Sequence, residues 1–185
     1  MDCIAKKFDE LTVPELYEIM RARNEIFVIE QDCIYQDCDD CDYGYHVFYL
    51  NDEGKVPAYM RIYEIDEEPE VVYYDGKAIW ANNLTDEQRA SAEKMTNEAD
   101  AARRAKARTV QMGRVLSIPH GIGLGAEILK DGIDVAWNKM NADRIFIEAE
   151  TYVIGYYEKA GFAKISDEFL KDDIPHVQME LWRAL

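Results

Sequence analysis

The chain is short of bases, of paired cysteines and of long apolar runs, and each shortage excludes something. Its 185 residues hold 21 Lys and Arg against 37 Asp and Glu, a formal net charge of −16. A surface that follows a phosphate backbone needs clustered cations, so nucleic acid is excluded as a partner. No stretch reaches the ~18 apolar residues of a membrane-crossing helix. The opening "MDCIAKKFDELTV" lacks the apolar core of a secretory signal. A soluble, cytoplasmic chain with no membrane partner is therefore expected. In that compartment Cys3, Cys33, Cys38 and Cys41 read as reduced thiols. The cluster "CIYQDCDDC" makes only part of a zinc site. Cys38 and Cys41 need two further ligands, and only Cys33 and His46 offer themselves. No metal is assigned.

What is present suits one domain over 1–185 with a full hydrophobic core. The charge is uneven. The first 82 residues carry 20 acidic and 7 basic side chains, the remainder 17 and 14. Such a field favours a cationic ligand over the first half. The plain alternative is a solvated acidic surface that aids solubility.

Patterning along the chain predicts mixed strands and helices. Residues 2–8 read as a strand. A helix follows with Thr12 as N-cap, Glu15 three residues on, Pro14 in the first turn, and Leu16, Ile19, Met20 and Phe27 at helical spacing. An acidic, turn-rich stretch leads to strands at 45–50 and 56–65, joined by a hairpin turn at Gly54. A short strand is expected at 71–74. The Ala- and charge-rich segment beyond Thr85, with Gln88 completing a capping box, predicts one exposed helix from about 86 to 106. Then come a buried strand (109–118), a glycine loop, an amphipathic helix, a strand (144–150), a short helix closed by Gly161, and two final strands, "FAKIS" and "HVQMELWRA". The class is α/β (α+β).

The loop "IPHGIGLGAEIL" places Gly121, Gly123 and Gly125 between a strand and a helix. That arrangement presents backbone N–H groups and the positive end of a helix dipole to an anion. The spacing satisfies the dinucleotide fingerprint literally, but a dinucleotide fold needs more parallel strand–helix units than the remaining ~60 residues allow. No Gly-Lys-[Ser/Thr] follows, so a Walker loop fails. A turn that merely packs a helix on a sheet stays open.

The wider pattern adds to this. Val115-x-x-x-x-His120-Gly121-x-Gly123-x-Gly125 resembles the [Gln/Arg]-x-x-Gly-x-[Gly/Ala] loop of the GCN5-related N-acetyltransferases (GNAT). The segment "YYEKAGF" (156–162) resembles their Tyr-x-x-x-Gly-Phe hallmark. The stretches "RNEIFVIEQDCIYQD" (23–37), "GRV" (113–115) and "IPHVQM" (174–179) resemble the ElaA-like branch. The resemblance covers nearly the whole chain, with about 70–106 as an insertion. His120 stands where the family has Gln or Arg, and Gly155 where Asn is usual.

The resemblance implies a mixed central sheet of about six to seven strands flanked by helices, with an inserted helix near 85–107. It implies transfer of an acetyl group from acetyl-CoA to an amine acceptor, either a small cationic amine or a peptide. Backbone N–H groups of Gly121, Ile122, Gly123, Leu124, Gly125 and Ala126 would hold the pyrophosphate, with a hydrogen bond from His120. Main-chain groups of Val115 and Leu116 would pair with the pantetheine arm. The N–H of Leu116 would face the thioester oxygen as charge develops there. Tyr157 stands at the general-acid position. Glu30 is the first candidate base and His176 the second. The plain structural role for Glu30 is a helix-end carboxylate paired to Arg21 or Arg23, that for His176 a structural strand histidine, and that for Tyr157 a core aromatic. Other readings are an acyl-homoserine-lactone-synthase-like acyltransferase and a non-catalytic acetyl-CoA-binding module. A homodimer is left open.

Overall fold

The computed structural model describes residues 1–33, 35–67, 69–94 and 103–184, Lys94 as backbone only. In chain order its first elements are β1 (Ile4–Lys7), α1 (Val13–Arg23), a π-helical stretch (Asn24–Glu30), β2 (Tyr45–Phe48) and β3 (Ala58–Glu64). Next are β4 (Val71–Tyr74), β5 (Lys77–Trp80), α2 (Asp86–Ser91), β6 (Glu93–Lys94) and β7 (Thr109–Ser117). The last are α3 (Leu124–Asn138), β8 (Arg144–Glu150), α4 (Ile154–Lys159), β9 (Ala163–Lys164), β10 (Phe169–Lys171) and β11 (Ile174–Trp182). The chain divides into two compact units, Met1–Glu64 with Val110–Asn141 and Ile65–Thr109 with Ala142–Leu185.

In the first unit β1, β2, β3 and β7 pair antiparallel in that order. The β2–β3 turn is the expected one, with Gly54 at φ 74° and its N–H on Asn51 O. α1 begins where a capping box forms. Thr12 accepts from Glu15 N, and Glu15 accepts from Thr12 N at 2.8 Å, which satisfies two orphan amides. Its buried positions, Ile19, Ala22 and Arg23, continue to Ile26 at one helical repeat. They pack with Phe48, Val56, Tyr59 and Leu116. α3 covers the strands β2 and β3 with Leu124, Ile128, Leu129, Val135 and Ala136. It comes close because position 132 is glycine. A Cβ there would lie 2.0 Å from the Met60 sulfur.

In the second unit β11 pairs antiparallel with β8, β9 and β10. One face carries Ile145, Ile147, Ala149, Val177 and Met179, all buried, as strand alternation requires. A separate small sheet has the order β5-β4-β6.

One expectation needs correction. The single helix over 86–106 does not form. α2 stops at Ser91, Ala92 turns extended, and Glu93–Lys94 add to β4 opposite Tyr73 and Val72. Local composition favoured helix, and strand pairing with residues twenty positions away won. Residues 103 and 104 are helical, while 95–102 lie outside the described residues. The strands β5 and β10 went unread, because each is only three or four residues long and shows no clear alternation. His46 is held inside the fold by hydrogen bonds at both ring nitrogens. It is fully buried, its Nε2 donates to Asp42 O at 2.8 Å, and its Nδ1 accepts from Tyr59 OH at 2.9 Å.

Candidate active site

The glycine loop joins β7 to the N-terminus of α3, both in the first unit. Gly121 has φ 80° and Gly123, the N-cap of α3, has φ 90°. Neither glycine is required for room within the protein, since a Cβ at either would meet nothing within 4 Å. What fixes them is backbone sign, because a β-carbon is strained in the left-handed region. The helix has no side-chain cap, and the positive end of its dipole faces the loop. The Ala126 amide is bonded to Gly123 O at 3.0 Å.

His120 and Glu30, expected in separate roles, meet each other. His120 Nε2 lies 2.9 Å from Glu30 Oε1, and both side chains are more than half exposed. Glu30 therefore does not take the expected partner Arg21 or Arg23. Arg21 pairs with Glu18, and Arg23 is committed elsewhere.

β7 carries a bulge at Arg114 and Val115, directly before Leu116. Tyr59 faces Leu116 and Arg61 faces Gly113, so Met60 alone opposes Arg114 and Val115. Such a bulge re-aims the residues beyond it. It sits on Arg114, a non-glycine residue at φ 54°, which costs roughly 1–2 kcal/mol. The side chain offsets this. Arg114 Nε donates to Asp37 Oδ1 at 2.7 Å, and the guanidinium lies 5.1 Å from the Tyr35 ring centre. A hydrogen bond between charged groups is worth about 1.5–3 kcal/mol, enough to hold the bulge.

Asp37 belongs to a larger buried cluster. Arg23 Nε reaches Asp37 Oδ2 at 2.9 Å, and Arg23 Nη1 reaches Asp42 Oδ1 at 2.5 Å. Arg61 donates to Asp42 and, from two nitrogens, to Asp39. Burial works to raise the Asp37 and Asp39 carboxyls, and the facing guanidinium groups more than reverse it, so both lie below the usual carboxylate value. Sequence reasoning did not single out these residues. The signal was there: Arg23, Tyr35, Asp37 and Arg114 all sit in the two stretches that carry the ElaA-like resemblance.

The other two predicted residues lie in the second unit. Tyr157, buried in α4, meets Tyr156 and Phe162 edge-on with ring centres 5.1 and 5.6 Å away. Burial, then the neighbouring Tyr156, Glu150 and Tyr152, push its phenol well above the ordinary tyrosine value. His176, on β11 opposite Glu150, has Nδ1 2.8 Å from Ile174 O. A carbonyl only accepts, so Nδ1 carries the proton and Nε2 is the basic nitrogen.

A bulged strand thus runs through a left-handed glycine turn into a helix N-terminus that has no side-chain cap. Residues 80–182 match the family described as the acetyltransferase (GNAT) domain, and the chain belongs to that family, whose members use acyl-CoA. It is 28% identical to a UPF0039 protein of Schizosaccharomyces pombe over 185 residues, 98% of this chain and 97% of that one. Among solved structures it is similar to an acyl-CoA N-acyltransferase from Pseudomonas aeruginosa, with TM-score 0.69 and 26% identity over 97% of this chain and 99% of the other. It shares the fold of Escherichia coli ElaA, with TM-score 0.70 and 20% identity over 97% of each chain. The chain is an acyltransferase of ElaA-like fold. No helix among the described residues is long and apolar enough to cross a membrane.

Proposed function

We propose that the chain transfers an acetyl group from acetyl-CoA to a cationic primary amine. The observation that carries this is the glycine loop: two left-handed glycines lead into the N-terminus of a fifteen-residue helix that has no side-chain cap, in a chain of the GNAT family. The donor supplies an activated thioester. The loop from Gly121 onward holds its pyrophosphate through backbone N–H groups and the helix dipole, with His120 adding a hydrogen bond once it leaves Glu30. Val115, in the bulge, and Leu116, directly after it, offer main-chain groups to the pantetheine arm. The Leu116 N–H stabilises negative charge as it develops on the thioester oxygen.

The amine must first lose a proton. With a pKa of ~10.4, about one in 2,500 such amines is neutral at pH 7. Glu30 or His176 takes that proton, directly or through water. The tautomer inferred for His176 supports it, because its basic nitrogen is left available. The amine nitrogen then bonds to the acyl carbon, the carbon–sulfur bond breaks, and Tyr157 donates toward the departing thiolate. The raised Tyr157 supports a group that is protonated throughout the neutral range.

The test is calorimetric titration with acetyl-CoA and with NAD, followed by an amine screen. Acetyl-CoA binds and NAD does not, and Gly123→Trp abolishes the binding while far-ultraviolet dichroism stays unchanged. Tyr157→Phe retains acetyl-CoA affinity and lowers kcat by about 10²–10⁴-fold. Binding of NAD alone, or turnover only with neutral or anionic acceptors, refutes the reading.

A further inference from the structure

The second unit carries a polar sheet face. Arg144, Phe146, Glu148 and Glu150 of β8 stand opposite Trp182, Glu180, Gln178 and His176 of β11. Pro69 and Arg104 of the same unit reach it. Gln178 Nε2 donates to Pro69 O at 2.5 Å, and Arg104 reaches Glu180.

Two buried atoms of this unit have no hydrogen-bond partner among the described residues: Glu148 Oε1 and Trp80 Nε1. The Glu148 side chain is only 3% exposed. A buried carboxylate oxygen without a donor is costly and calls for an explanation. Its other oxygen accepts from Lys171 Nζ at 2.5 Å, and the same Nζ lies 4.8 Å from the centre of the Trp80 ring. A carboxylate on one side and an indole face on the other is how a primary ammonium group is recognised. Lys171 ends the three-residue strand β10, next to a turn where Asp172 and Asp173 both have positive φ. Its side chain is one-quarter exposed.

We propose that Glu148 and Trp80 form the ammonium subsite for the amine acceptor, which Lys171 occupies as an in-chain stand-in that the acceptor displaces. The incoming ammonium takes the place of Lys171 Nζ and can answer both oxygens of Glu148. An acceptor atom further along the ligand answers Trp80 Nε1. The inference rests on the acetyl-transfer reading only in naming the amine an acceptor; the binding itself does not depend on it.

The experiment is calorimetric titration of the full chain with 1,5-diaminopentane, with 1-pentanol as the neutral control. Lys171→Ala raises affinity for the diamine by about tenfold or more, roughly 1.4 kcal/mol, and leaves pentanol unbound. Adding Glu148→Gln to Lys171→Ala removes the gain. Lys171→Met, which keeps the apolar stem, repeats the test should alanine loosen the strand. No gain in either Lys171 variant, or a gain that survives Glu148→Gln, overturns the proposal. Acetyl-CoA is titrated into the same samples. If it binds without any Glu148-dependent diamine binding, the acetyltransferase reading stands and the subsite falls. Glu148-dependent diamine binding without acetyl-CoA binding has the opposite meaning.

Discussion

Each unit buries charge, and the two do so differently. In the first, all six carboxylate oxygens of Asp37, Asp39 and Asp42 accept a hydrogen bond, from Arg23, Arg61, Arg114, Tyr35 or a backbone amide. The single loose end is Arg61 Nε, one donor of a guanidinium whose other nitrogens are engaged. In the second, Glu180 is answered by Arg144 and Arg104, but Glu148 has one oxygen taken and one bare. Burial of an unmatched charge is expensive in both places. A fully answered cluster therefore reads as scaffold. It fastens the acidic stretch and the β7 bulge that aims Val115 and Leu116. A half-answered one reads as a place kept for something else.

The sharpest way to break this contrast is to remove a scaffold arginine. Arg23 is fully buried and serves Asp37 and Asp42 together. Arg23→Met keeps most of the volume, leaves Asp37 Oδ2 without its donor and takes one of two guanidinium partners from Asp42. Unfolding in urea should show a loss of about 3–5 kcal/mol. A loss under about 1 kcal/mol would mean that the cluster relaxes to solvent and is no scaffold.

Acid should probe the same cluster in two stages. His46 lies below its ordinary value of 6.5, chiefly through burial, which outweighs the pull of Asp42. As pH falls below 6.5 the unfolded chain takes up a proton that the folded chain refuses, so stability falls. Asp37 and Asp39 lie below their ordinary 3.8, because Arg23, Arg114 and Arg61 outweigh burial. Their contribution is complete above 3.8 and is lost as pH falls through their folded values. Each linked proton tilts stability by about 1.4 kcal/mol per pH unit. Urea midpoints followed downward from about pH 8 should therefore decline first through His46 and then through the aspartates. His46→Gln should delete the first stage alone. In the second unit Glu180 is depressed from 4.5, despite burial, by Arg104, Trp182 and Arg144.

The same contrast explains what could be read from sequence. In the first unit function is written locally. Thr12 with Glu15, the hairpin at Gly54, the glycines before α3 and the periodic face of α3 each signal themselves within a few residues. The strand–loop–helix order was therefore legible, and so was the class. In the second unit the informative contacts are long-range. Glu148 and Lys171 are 23 positions apart, Gln178 and Pro69 109. Pairing with β4, not composition, turns 93–94 from helix into strand. The Arg–Asp cluster falls between these cases. Its members stand inside recognisable stretches, yet charge pairing at a distance of 14 to 77 residues leaves no periodicity to read.

The smallest expected effect is the most discriminating. Glu148→Gln preserves shape and removes the charge. Were Glu148 scaffold like Asp37, its loss would leave the Lys171 ammonium buried and unpaired, at a cost comparable to that of Arg23→Met. But the Lys171 side chain is one-quarter exposed at a strand end, so its ammonium can turn to water. The bare Oε1 also ceases to be a stranded anionic oxygen. The two changes oppose each other, and stability should move by less than about 1 kcal/mol in either direction. Comparing the urea midpoints of Arg23→Met and Glu148→Gln on one protein measures the difference between the clusters directly. A loss of several kcal/mol at Glu148 would place both clusters in the scaffold and leave the orphaned oxygen a cost of folding with no ligand to answer it.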